Sequence, residues 1–347
     1  MKKINPNLFK FSALKLSFFG LLILIFILIF SVNSGRRALE DRSALNQVKS
    51  FQLVSQWIGT NGEYVEDFVI DKKFLYAVFG EKGLGLFNKN ENLTLITNFL
   101  VETNEIKFSL KSLELYETNN QIYLVSSFFS GEKKGIVVLF VENTNVILTN
   151  YFFVDFLSPK SFCIGNHKLY VLTKNELKEF DIVDSSNEKN YQFNISENSK
   201  MKFYKGYFYL PSFNKGLIIG KIEKNSFKVI STIKNDINSV SDCFIMDKKL
   251  LIADKMLGIS LYNINGMNNE VVFRYDTAGD ANSVFMKGND IFVADGINGV
   301  LSLSYKNNRL KLEKYHKGDY LANNIIYDNS QNLLYVLAGA NGIIVLK

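Results

Sequence analysis

Six polar or charged residues stand nine positions ahead of an aromatic or aliphatic residue in a short apolar run: Asp67, Glu114, Ser161, Lys200, Asp242 and Ser283. Asn324 joins them if the last hairpin carries two extra residues. Carboxylates, an ammonium, hydroxyls and an amide brought to one place would make a polar binding site. Asp67, Glu114 and Asp242 also carry the oxygen ligands that divalent cations prefer, so a carboxylate/divalent-metal hydrolase or lyase is the alternative chemistry. The supply of other reactive groups is thin. His167 and His316 are the only histidines, one expected in a hairpin turn and the other in an outer strand. That excludes multi-histidine metal sites and argues against a Ser-His-Asp arrangement. Segment 276–282 (DTAGDAN) has oxygen ligands without the alternating spacing of a calcium loop, and reads as a turn. No catalytic motif is found, no cofactor is implied, and the residues favour a non-enzymatic protein.

The elements that must position this ring are legible from the repeat. The residues that follow the ring positions are Tyr76, Tyr123, Tyr170, Tyr209, Leu251, Phe292 and Tyr335, spaced 39–47 residues apart. A glycine comes seven positions later at Gly83, Gly216, Gly258, Gly299 and Gly342; Gly135 comes twelve later, and Leu177 stands in the third unit. A period of 40–45 residues in units rich in strand formers is the mark of a β-propeller, here with seven blades. The unit 282–316 shows the plan: SVFMK, a Gly-Asn-Asp turn, IFVA, an Asp-Gly-Ile-Asn-Gly turn, VLSLSY, and an outer strand LKLEKYH. The seventh unit ends at its third strand, whereas FQLVSQWI (51–58) precedes the first blade and resembles the missing outer strands. The expected arrangement is a ring closed by this early strand, since an open ring would leave an unpaired sheet edge.

The net charge of +6 lies outside the repeats. Residues 1–49 hold eight basic and two acidic residues, so the remainder carries 32 of each sign. This balance gives no reason to invoke nucleic acid. Residues 16–32 (LSFFGLLILIFILIFSV) are apolar and uncharged, follow four lysines, and are just long enough to span a bilayer. The expected organisation is a cytoplasmic segment 1–15, a transmembrane or signal helix 16–32, a linker 33–49 and a propeller 50–347. The lysines place the propeller on the exported, periplasmic side of a bacterial inner membrane. Cleavage before Gly35, with Val32 and Ser34 at −3 and −1, would instead release a secreted protein. Cys163 and Cys243 are the only cysteines and are expected as two separate buried thiols.

The third-strand segments 83–88 (GLGLFN), 135–140 (GIVVLF), 216–220 (GLIIG), 258–263 (GISLYN) and 342–346 (GIIVL) follow strands such as LYAV, FVAD and LLIAD. In this they resemble LVIVD repeats, a family of bacterial and archaeal envelope proteins folded as propellers. The terminal Asp of that motif is matched at Asp181, while Asn88 and Asn263 replace it in two blades. In a propeller the first strand of each blade lines the central channel, which would gather the seven polar residues at its wide mouth. The stretch 126–135 reads as a long turn on that same face, with Phe128 and Phe129 as partner contacts. If 51–58 is an outer strand, the tether leaves from the opposite side and the mouth points away from the membrane. Together these features describe a monomeric, membrane-anchored propeller that binds or scaffolds an envelope protein.

Overall fold

The computed structural model describes residues 48–347, apart from 60–63, 185–187, 196, 199, 214, 235–238 and 266–267. The segments 1–15 and 16–32, and nearly all of the linker, lie outside the described residues. Among the described residues no helix is long and apolar enough to cross a membrane.

From Lys49 onward the chain builds seven sheets, antiparallel and with consecutive strands as neighbours except where the first two strands of the chain join the last two sheets. Blade one runs Asp67–Ile70, Phe74–Val78, Leu84–Asn88 and Thr94–Phe99; blade five runs Val240–Met246, Lys249–Asp254, Gly258–Asn265 and Asn268–Tyr275. All seven aromatic or aliphatic marker residues lie on the second strand of their blade. Blade seven takes Asn324–Asp328, Leu333–Leu337 and Ile343–Leu346 from the end of the chain, and Leu53–Trp57 pairs antiparallel with the last of these as its outer strand. Just ahead, Lys49–Ser50 runs parallel to Arg309–His316, the outer strand of blade six. Phe51, between these two pairings, is buried in the core that blades six and seven share.

Side chains alternate across a strand, so each blade presents an apolar face to both neighbours. The result is seven apolar clusters, one for each interface around the ring. Cys163 and Cys243 are free, buried thiols in different interfaces, the first between blades three and four and the second between four and five.

The recurring glycine has a direct cause. Gly83, Gly216, Gly258, Gly299 and Gly342 open the third strand at φ between +73° and +88°, a region that L side chains avoid. A Cβ there would overlap the carbonyl oxygen of the adjoining outer strand, at Phe99, Ile233, Tyr275, His316 and Trp57 respectively.

Blade two departs from expectation. Stretch 126–135 is not a long turn: the ladder continues through Phe128↔Gly135 and Phe129↔Lys134 to Ser130↔Lys133, closing on a tight hairpin at Gly131. Phe128 and Phe129 therefore point to opposite faces of a paired strand. Phe128 is fully buried against Phe108 and Phe153, and Phe129 packs edge-on against Phe156. Neither is an exposed partner anchor, because both faces of the blade are covered by neighbouring blades.

Candidate binding site at the channel mouth

The first strands converge on a cavity of about 250 Å³ at one end of the channel. Six of the seven expected residues line it: Asp67, Glu114, Lys200, Asp242, Ser283 and Asn324. Ser161 does not. It is wholly buried, where its Oγ accepts the Ser158 N–H at 2.8 Å and sits 2.7 Å from Ser158 Oγ in the turn 158–161. Lys160, from that same turn, lines the cavity instead. Counting back from Tyr170 finds the right stretch but cannot see that a tight Ser-Pro-Lys-Ser turn draws the serine inside.

One polar network then runs around the ring. Asp242 is buried and lies 2.8 Å from Lys202 Nζ and 3.5 Å from Lys200 Nζ. It also accepts the Cys243 N–H at 2.9 Å. Ser283 Oγ donates to Asp242 Oδ2 at 2.8 Å and lies 3.0 Å from Asn324 Oδ1. The Asn324 amide donates to Asp67 Oδ1 at 3.0 Å. Asp67 is also 3.3 Å from Lys160 Nζ and accepts the Leu113 N–H at 3.3 Å. Every blade contributes a group, so the ring is fixed by the fold rather than by a single loop. Lys202 was missed in sequence although a signal existed: it follows Lys200 by two residues, the strand period.

The electrostatics divide the three carboxyls. Burial alone would raise the Asp242 carboxyl, but Lys200 and Lys202 outweigh it and hold it well below the usual range. Burial would lower the Lys200 ammonium, yet Asp242, Asp67 and Glu114 raise it. Glu114 makes no hydrogen bond or ion pair with a described residue. Its burial, only partly offset by Lys200 and reinforced by Asp67, pushes its carboxyl up to about 7. Two residues further along the first strands, Val69, Phe244, Phe285 and Ile326 form an apolar layer with Phe162. The Phe244 and Phe285 rings there are 4.7 Å apart.

Asp67 and Asp242 are each engaged by lysine ammonium groups, which compete with a cation for the same oxygens. Among the described residues no three His, Cys, Asp or Glu side chains are placed to hold a metal ion. Asp242, held strongly acidic, is also a poor base.

The rim has a second feature that sequence reasoning missed. The turns between second and third strands open on the same face as the cavity, and three consecutive blades expose apolar side chains there. Phe213, Met256 and Ile297 are 37%, 66% and 71% exposed. Leu321, in the connection to blade seven, is 41% exposed, and the Gly296↔Ala322 bridge sets it beside Ile297.

No protein-family model and no curated protein matches this chain. Solved structures do match. The chain is similar to the WD40 β-propeller domain of Doa1, with TM-score 0.62 and 16% identity over 86% of this chain and 97% of that one. A chain in the crystal structure of a Mitotic Checkpoint Complex is similar at TM-score 0.62 and 11% identity, covering 86% of this chain and 94% of that one. At such identities the likeness is one of fold, and with the sheet topology it makes this chain an all-β, seven-bladed β-propeller.

Proposed function

We propose that this propeller is a non-enzymatic protein-binding or scaffolding module whose contact surface is the channel-mouth face. The observation that carries this is the crest formed by Phe213, Met256, Ile297 and Leu321. Turn tips tolerate almost any polar residue, and adjacent exposed apolar groups around a polar cavity are what a partner surface offers. One of the solved structures of similar fold is named for a multi-protein complex, which fits an assembly role.

In this proposal residues 16–32 anchor the protein in an envelope membrane, with 1–15 cytoplasmic and the propeller on the exported side. The LVIVD-like repeat supports an envelope setting. Lys49–Ser50 and Leu53–Trp57 both run toward the mouth face, so the first described residues join the ring at its opposite face.

The test is affinity isolation of the intact protein from its own membranes in mild detergent. The parent should bring down a partner, and Met256→Ser/Ile297→Ser should lose it while melting within a few degrees of the parent. A partner retained by that variant, or none with the parent, would refute the surface assignment.

A further inference from the structure

We propose that the channel-mouth cavity holds an apolar α-amino acid, free or as the first residue of a chain, with its ammonium group on Glu114. This rests on the mouth face being the binding face, and it names what enters its centre.

Three observations carry the argument. First, among the described residues Glu114 makes no hydrogen bond or ion pair in the cavity, whereas Asp67 and Asp242 are held by lysines and amides. A carboxylate in that position is an acceptor for an incoming ammonium group. Second, Lys160 and Lys200 sit 3.3 and 3.5 Å from their aspartates and remain partly exposed. An ammonium has three donors, so each keeps N–H groups for a ligand carboxylate or carbonyl. That second contact offsets the repulsion between a ligand ammonium and the three lysines. Third, the lining has two layers: the polar ring, and two residues further along the first strands Phe244 and Phe285, with Phe162 beside them. A ligand there can keep its charged groups at ring level and lay an apolar group against these rings. The volume of about 250 Å³ accommodates one amino-acid residue and little more.

The charged and titratable groups facing Glu114 are Lys200, Lys202, Lys160, Asp67 and the Cys163 thiol. Burial pushes the Glu114 carboxyl up to about 7, within the neutral range. Capture of an ammonium requires the ionised carboxylate. Affinity should therefore rise with pH through about 7 and fall again once the ligand amine deprotonates.

The experiment uses the full chain in detergent, with calorimetric titration of L-leucine, the peptide Leu-Gly-Gly and N-acetyl-L-leucine. L-leucine or Leu-Gly-Gly should bind saturably, N-acetyl-L-leucine at least about tenfold more weakly, and affinity at pH 8 should exceed that at pH 5.5 at least about tenfold. Glu114→Gln, checked for an unchanged melting profile at pH 4.5, should weaken the binding at least about tenfold. Binding of leucine alone identifies a free amino acid; binding of the tripeptide alone identifies a chain terminus. No saturable binding, or equal binding of the acetylated probe, overturns the proposal, and that comparison does not depend on any variant folding. Met256→Ser/Ile297→Ser should leave leucine binding unchanged, so failure of the partner surface and failure of the amine site are separable.

Discussion

Gly258 shows what the blade demands of a single position. Its φ of +76° and the closeness of Tyr275 O leave no space for a methyl group. Gly258→Ala should destabilise the protein by about 2–4 kcal/mol, read as a lowered denaturation midpoint; a neutral effect would mean that the outer strand yields freely. Glu114 makes the opposite kind of demand. Its carboxyl, ordinarily near 4.5, stands at about 7 when folded, so the folded chain holds that proton more tightly than the unfolded chain. Stability then falls as pH rises from about 4.5 to about 7, and the loss is complete above that range. Glu114→Gln should be stabilising by about 1–3 kcal/mol at pH 8 and nearly neutral at pH 4.5. Equal effects at both values would show that the carboxyl is not strained by burial.

At the scale of strands, what could be read from sequence was whatever the repeat imposes. The marker residues recur because every blade has the same second strand, and the glycines recur because blades one, four, five, six and seven enter the third strand through a positive-φ turn. The extension of blade two was legible as a glycine twelve positions from Tyr123 rather than seven, but its form was not. A longer turn and a longer ladder have the same spacing, and only the pairing Phe128↔Gly135 distinguishes them. Ser161 failed in the same way, because a hydroxyl that folds into its own turn has the same position in the count as one that faces the channel. The apolar tips Met256 and Ile297 were overlooked because nothing periodic marks an exposed residue. The outer edge of blades six and seven carries its own prediction. Deleting residues 49–58 should lower the melting temperature by more than about 10 °C or cause aggregation, whereas deleting 1–47 should not. A 49–58 deletion as soluble and heat-stable as the parent would show that the ring holds without these strands.

At the scale of the whole ring, the interface between the first and last blades contains a buried charge pair. Lys89 Nζ lies 2.9 Å from Asp328 Oδ2, both side chains almost wholly shielded, and Lys89 also donates to the backbone oxygen of Asp71. Replacing one partner leaves the other's charge uncompensated where water is largely excluded. Lys89→Met should cost about 3–5 kcal/mol, while the double variant Lys89→Met/Asp328→Leu should recover much of that loss. A single variant as stable as the parent would show that the pair contributes nothing to this junction.

The stitching of Lys49–Ser50 to blade six and of Leu53–Trp57 to blade seven also has a mechanical side. Tension drawn through the amino-terminal chain would act along both strand axes, loading the bonds from Phe51 N to Tyr315 O and from Gln52 N to Lys347 O in shear instead of unzipping them one at a time. Since Lys347 N in turn bonds Gln52 O, the pull passes directly into Ile343–Leu346. A load entering at Lys49 would thus be shared by two blades at once.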